Sequence, residues 1–336
     1  MSDPYLQIND IEFVDLYLGN GYADIKGLSG TTESRVPAPA HLHDAIAALR
    51  TKCLDAFQAH EEPEFALTIG STVFRITQVS DVDNENVFIV RRSSAQIRPF
   101  ATLGFAPNFM RFILDQNLSG LVLVAGDMAV GKTSTAASLL VERLVIHGGV
   151  AMAIEDPPET LLNGIHGAGR CIQVPASRKS GGYKEHMTRA MRSGVNFMLI
   201  GEIRDDDTAA EVAKASINGN LIIATIHGGD IPQAIERLHA MCAGKVTNAY
   251  EILAQGLAAV IWQDLEKVPS HGSPDAASPS RSNATRLVLN TLIFDEPSTR
   301  TKVGKGEVSK LMQEVADQAK RNAWNPQLLN NRGNIK

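Results

Sequence analysis

The clearest chemical signal in the chain is Gly126-Asp127-Met128-Ala129-Val130-Gly131-Lys132-Thr133, a G-x-x-x-x-G-K-T run. Gly126 and Gly131 let the backbone turn so that successive N–H groups point inward. A helix starting behind the run adds the unsatisfied donors of its first turn. A polyphosphate satisfies such donors. Lys132 supplies a positive charge for the β- and γ-phosphates, and the Thr133 hydroxyl is a ligand for Mg²⁺. The expected cofactors are ATP and Mg²⁺, bound by Gly126, Asp127, Met128, Ala129, Val130, Gly131, Lys132, Thr133 and the adjoining Ser134. By chance the pattern turns up about once in a hundred chains of this length. Here an apolar run precedes it (121–125) and a helical pattern follows it (134–146), the context a phosphate-binding loop requires.

Three further elements follow, each at the end of an apolar run. Glu155-Asp156-Pro157-Pro158-Glu159 places carboxylates, stiffened by two prolines, where they can hold Mg²⁺ or orient an attacking water. Standing alone it would read as a solvated acidic turn. Phe197-Met198-Leu199-Ile200-Gly201-Glu202 ends four apolar residues in an acid, and Ile203-Arg204-Asp205 follows. Many buried strands end in Glu, so the signal lies in the combination. His227 closes Ala224-Thr225-Ile226-His227-Gly228-Gly229. A lone histidine is more often structural, but this one follows the fourth apolar strand, where it could sense a γ-phosphate. Open α/β sheets bind ligands at the carboxyl ends of their strands, so all three elements can converge on one nucleotide.

The positioning elements follow from periodicity. Apolar runs at 121–125, 150–154, 197–200 and 221–225 suit strands buried on both faces of a mainly parallel sheet, with helices at 134–146, 185–192, 207–218 and 231–241. The predicted core is α/β. Residues 258–262 and 286–294 read as a hairpin appended to it, and the Ser/Pro/Gly-rich stretch between them (269–283) as a mobile link. An amphipathic helix is expected at 306–321 and a disordered tail after it. Before the core, a helix at 41–57 and strands at 65–69, 72–79 and 87–91 describe a small α+β domain with an antiparallel sheet. Residues 8–28 read as a helix or strand leading to a short strand. The expected organisation is a small domain over 1–98, a linker at 99–107 opening on a helix at 108–116, a phosphate-loop domain over 108–300, and a C-terminal helix and tail over 301–336.

Composition sets the class. The chain has 336 residues, 44% hydrophobic and 21% charged, which suits a soluble protein of two domains. A net charge of −5 gives no support for general nucleic-acid binding. Cys53, Cys171 and Cys242 are too dispersed for a disulfide framework or a zinc module. Met1-Ser2-Asp3-Pro4 does not open a secretory signal, and no apolar run reaches membrane-spanning length. The expected location is cytoplasmic, with any membrane contact made through partners.

In their order along the chain these elements resemble the secretion ATPase superfamily of type II secretion, type IV pili and type IV secretion. Residues 126–133 look like its Walker A, 154–159 its Asp box, 199–205 its Walker B and 225–227 its His box. The resemblance covers about residues 60–265. It implies a RecA-like P-loop core with a small PAS-like N-terminal domain, and a homo-hexameric ring with ATP bound between domains and between neighbours. Such a ring would dock on an inner-membrane secretion or pilus platform protein. By position, Glu159 resembles the catalytic glutamate that orients water, Glu202 the acid that holds Mg²⁺ together with Thr133, and His227 the γ-phosphate sensor. Arg75 and Arg91, in Phe74-Arg75-Ile76 and Val90-Arg91-Arg92, resemble strand-borne arginine fingers.

The chain departs from the family in having Gly194-Val195-Asn196 where Asp-Pro-Asp is usual, and Gly228-Gly229 where Thr often follows the histidine. It also lacks the tetracysteine module of many relatives. That favours the compact branch, pilus-retraction and type IVB or conjugative motors. The expected function is a motor ATPase for type IV secretion or conjugative transfer. Pilus retraction is the near alternative, and a nucleic-acid-dependent RecA-type ATPase or a non-hydrolysing ring subunit are alternatives of other classes. Direct nucleic-acid contact is not expected.

Overall fold

The computed structural model describes residues 5–177, 179–267 and 285–323. The expected mobile link at 269–283 and the expected disordered tail lie outside those residues.

A short 3₁₀ turn at Leu6–Asp10 opens the small domain. Its strands are β1 (Asp15–Leu18), β2 (Ala23–Lys26), β3 (Val36–Pro37), β4 (Glu64–Ile69), β5 (Thr72–Ser80) and β6 (Asn86–Arg92), with α1 (His43–His60) inserted after β3. They form an antiparallel sheet in the order β3-β2-β1-β6-β5-β4. The ambiguous stretch at 8–28 thus resolves into a turn and two paired strands. Period-two alternation sends Phe74, Ile76, Phe88 and Val90 into the core, where Ile46, Leu49 and Cys53 of α1 cover them. Arg75 and Arg91, one residue out of phase, therefore stand on the opposite face. They are also direct cross-strand partners, with Asp15 next in the same row beyond Arg91. Two like charges placed opposite each other repel, so each arginine needs an acid.

A connecting segment with a 3₁₀ turn at Phe100–Thr102 leads to α2 (Pro107–Ile113) and the large sheet. Its parallel strands are β7 (Gly120–Gly126), β8 (Gly149–Glu155), β10 (Gly169–Pro175), β11 (Phe197–Ile200), β12 (Leu221–His227) and β13 (Leu257–Lys267). Antiparallel strands β9 (Gly164–His166) and β14 (Thr285–Ile293) close its edges. The order is β14-β13-β7-β12-β11-β8-β10-β9. Helix α3 (Lys132–His147) and α2 pack on one face. On the other lie α4 (Gly182–Arg192), α5 (Asp206–Ser216), α6 (Ile231–Cys242) and α7 (Ala249–Gly256). Apolar cores on both faces explain the uninterrupted hydrophobic strands.

Two expectations need correction. The hairpin is no appendage: β13 pairs in parallel with β7, Trp262 opposite Ala125, because Ala259, Val260 and Ile261 are fully buried and belong within the sheet. The C-terminal helix begins later than 306. It starts at Leu311 as α9 (Leu311–Ala323), behind α8 (Pro297–Gly304) and a 3₁₀ turn at Val308–Lys310. The interruption lets Val303, Val308, Leu311 and Val315 all reach the core. The β9–β10 pair and helices α7 and α8 carry no sequence signal strong enough to have been expected. All three cysteines are free and buried.

Candidate nucleotide site

The carboxyl ends of β7, β8, β11 and β12 meet at one cavity of about 610 Å³, and the small domain covers it. Every expected site residue from Met128 to Ser134 lines it, together with Glu159, Glu202, His227, Arg75 and Arg91. Gly126 and Asp127 stand at its rim through their carbonyls, which hold Lys132. A larger cavity, about 750 Å³, lies between α2, β14 and α8–α9 and is lined by Arg111, Asp295, Arg300 and Arg321, among others. None of the expected site residues reaches it.

The loop after β7 folds as its glycines dictate. Gly126 has φ 152° and a Cβ there would stand 2.3 Å from the Gln263 carbonyl oxygen, so no larger residue fits. Gly131, at φ 89°, turns the chain into α3. Lys132 is buried, and its Nζ donates to Gly126 O at 3.0 Å and Asp127 O at 2.6 Å while approaching His227 Nδ1 at 3.4 Å. Burial pulls its pKa below the ordinary lysine value, opposed by the charges of Glu202, Asp127 and Glu159.

His227 also lies 3.0 Å from Glu202 Oε1 through Nε2. Burial, with Lys132 next, lowers its pKa, so the neutral ring is favoured. Glu202 pairs in addition with Arg204 Nε. Asp205 is taken up structurally, accepting from Thr208 N at 2.8 Å as the N-cap of α5. Thr225 Oγ1 donates to Gly201 O at 2.5 Å and Ile203 N to Thr225 O at 2.9 Å, so the Glu202 and His227 turns are stitched together.

The acidic turn after β8 separates its two glutamates. Glu155 is 2% exposed; its Oε2 accepts from Gln173 Nε2 at 2.6 Å and its Oε1 has no partner. Burial pushes its pKa up to about 7, opposed by the Gln173 hydrogen bond and reinforced by the Glu159 charge. Glu159 faces the cavity and crosses to the small domain: Oε1 accepts from Arg75 Nη1 at 2.6 Å, and its carbonyl accepts from Ser93 Oγ at 2.6 Å. Arg91 makes a bidentate pair with buried Asp15 at 2.7 and 3.1 Å. The two arginines thus obtain their acids from different places, Arg91 from its own domain and Arg75 from the other.

The connecting segment lies along α3. Gln96 N donates to Ser134 Oγ at 3.0 Å and Arg98 N to Ser138 Oγ at 2.9 Å. The usual Asp-Pro-Asp position is taken over by Asn196, whose N–H donates to Val150 O at 2.8 Å and whose Oδ1 accepts from Val150 N at 2.9 Å. Where a Thr often follows the histidine, the Gly228 carbonyl accepts from Trp262 Nε1 at 3.1 Å.

The site suits a nucleoside polyphosphate. Arg75, Arg91, Arg92, Arg98, Lys132 and Arg204 line it, against Glu155, Asp156, Glu159 and Glu202. Among the described residues no three His, Cys, Asp or Glu side chains form a self-sufficient metal site. The donors at hand, Thr133 and Glu202, match an ion that takes most of its ligands from phosphate and water, as Mg²⁺ does. Sequence reasoning missed Ser93, Arg98, Gln173 and Gln263. Gln263 had a readable signal, since it follows the apolar run 258–262 as Glu202 and His227 follow theirs.

Comparison with known proteins agrees. The type IV pilus assembly ATPase TfpB of Acinetobacter baylyi is 33% identical over 181 residues, 53% of this chain and 28% of TfpB. The type IV pilus retraction ATPase PilT of Pseudomonas aeruginosa is 23% identical over 312 residues, 90% of this chain and 84% of PilT. The chain spans well under a third of TfpB and 16% of the Thermus thermophilus assembly ATPase PilB. In fold it is similar to the pilus retraction motor PilT with bound ADP (TM-score 0.72, 18% identity, 94% of this chain and 89% of that one). It is also similar to the Legionella pneumophila ATPase DotB (TM-score 0.66, 16% identity, 90% and 84%). A RecA-like P-loop fold with a small N-terminal domain is what this chain shares with PilT. Residues 62–319 match the Type II/IV secretion system protein family, and the chain belongs to it.

Proposed function

We propose that this protein is a mechanochemical ATPase that hydrolyses ATP with Mg²⁺ in a homo-hexameric ring and drives a type IV secretion, conjugative or pilus machine. The observation that carries the reading is the Arg75–Glu159 ion pair, which ties the small domain to the acid best placed to orient water. In this reading the P-loop amides and Lys132 bind the phosphates, and Glu159 orients the attacking water. His227 senses the γ-phosphate, and Glu202 and Thr133 hold Mg²⁺, which neutralises phosphate charge when bound. When ATP enters, Arg75 exchanges a carboxylate for a phosphate. Guanidinium–phosphate pairing then favours closure of the small domain, and phosphate release frees it again.

Pilus retraction is the second reading, favoured by the match to PilT over most of both chains. No described helix is long and apolar enough to cross a membrane. Work at the inner membrane would therefore pass through a platform protein, with the ring on the cytoplasmic side. ATPase activity per subunit should rise with protein concentration as the ring assembles. A monomer, verified by light scattering, with full specific activity would overturn the ring. Stimulation by single-stranded DNA would favour the RecA-type alternative.

A further inference from the structure

We infer that Gln263, on the strand beside the P-loop, is a positioning residue that holds the loop in its phosphate-binding shape from outside. The inference deepens the ATPase reading and rests on it. Because β13 pairs with β7 in parallel, residue 263 comes directly beside Gly126, where the loop begins. Its main chain already dictates that Gly126 be a glycine. Its side chain, on a residue 1% exposed, then reaches the far end of the same loop, where Nε2 donates to Val130 O at 2.6 Å. A carbonyl only accepts, so the amide nitrogen must face it. Val130 immediately precedes Gly131, whose left-handed turn starts α3. Gln263 therefore touches both ends of the loop, its main chain at one and its side chain at the other.

The second amide atom separates this role from plain packing. Oε1 is buried and has no hydrogen-bond partner. An unsatisfied buried acceptor is unfavourable, but an apolar residue of the same length would leave the buried Val130 carbonyl unsatisfied in turn, so it exchanges one orphaned acceptor for another. Stability alone therefore separates glutamine from methionine little at this position. What the amide supplies is the direction of the Val130 carbonyl, and through the shared peptide plane that of the Gly131 N–H, one of the donors that must face the phosphates.

The test compares Gln263→Met, which keeps the length, and Gln263→Asn, which keeps the amide but is one methylene short of Val130, with Lys132→Ala as control. The measurements are ATP affinity with a fluorescent analogue, KM and kcat on the assembled protein, and the thermal midpoint. Loop shape matters to bound ATP and to the transition state alike, so its loss appears in KM. Both Gln263 variants should bind ATP about tenfold more weakly, the weight of one hydrogen bond. Their kcat at saturation should stay within about twofold, and Gln263→Met, which exchanges one orphaned acceptor for another, should melt close to wild type. Normal affinity in both, with binding lost in Lys132→Ala, would overturn the role of Gln263 and leave the ATPase reading intact. Normal affinity in all three variants would remove that reading as well. A lower midpoint in Gln263→Met with kcat and KM both impaired would reduce Gln263 to a packing residue.

Discussion

Replacing Glu159 with Gln separates the two roles of its carboxylate. Its Oε1 accepts from Arg75 across the domain boundary, and the same carboxylate is the group assigned to orient water. Glutamine keeps a carbonyl oxygen in that place and loses only the charge. A hydrogen bond to a charged group contributes about 1 kcal/mol more than a neutral one. The side chains of Arg75 and Glu159 are 34% and 26% exposed, which keeps the difference at the low end. Domain docking and ATP binding should therefore change by about fivefold or less. Removing a general base lowers the chemical step by about 10²–10⁴-fold, or about 3–5 kcal/mol of barrier. The variant should bind ATP nearly normally and turn it over at least about a hundredfold more slowly. Equilibrium binding of a fluorescent ATP analogue and single-turnover phosphate release measure the two quantities separately. Normal turnover in Glu159→Gln would refute the assignment, above all if Glu155→Gln were the inactive variant. Parallel losses in binding and turnover would refute the separation of roles.

Three further outcomes follow from the geometry. Lys132→Ala removes a phosphate contact made in the ground and transition states, and should abolish ATP binding and transport; undiminished affinity in a filter-binding assay would contradict the loop assignment. Arg91→Ala leaves the Asp15 carboxylate buried without its partner and should lower the urea midpoint by the equivalent of about 1–3 kcal/mol, with Asp15→Asn restoring it in the double variant. Glu155 gives a pH signature. Its folded pKa, about 7, lies above the ordinary value, so the folded state keeps a proton that the unfolded chain releases. Stability therefore falls as pH rises from about 4.5 to 7, by on the order of 3 kcal/mol in total. Glu155→Gln should melt above wild type at pH 8 and approach it near pH 4.5; parallel melting curves would show that Glu155 does not titrate in this range.

The nucleotide half of the site was legible because its signals are local. The P-loop, the acids after β8 and β11 and the histidine after β12 each follow a strand dense enough in apolar residues to be read alone. Arg75 and Arg91 were findable through alternation, since Phe74 and Ile76, or Val90, mark the buried face around them. Their acids were not legible. Asp15 is 76 residues from Arg91 and Glu159 is 84 from Arg75, and pairing at that separation is decided by strand register and domain docking. The same holds for Gln263, which is 133 residues from Val130. The hairpin was seen as two strands, but its place in the sheet depends on a parallel pairing with β7 that no short-range pattern encodes.

The two serine pins on the connecting segment set an unusual constraint on it. Ser134 and Ser138 are one turn apart on α3, about 6 Å along its axis. They grip the main-chain N–H groups of residues 96 and 98 and leave their side chains free of the task. The pins themselves therefore ask nothing of the side chains at 96 and 98 except that neither be proline, although Arg98 still lines the cavity and Ile97 packs on the core. The length of the segment is another matter. Adding or deleting a single residue between the pins would put the two N–H groups out of phase, so that they could no longer meet both hydroxyls at once. Among related chains this stretch should be fixed in count, and indels should fall outside it.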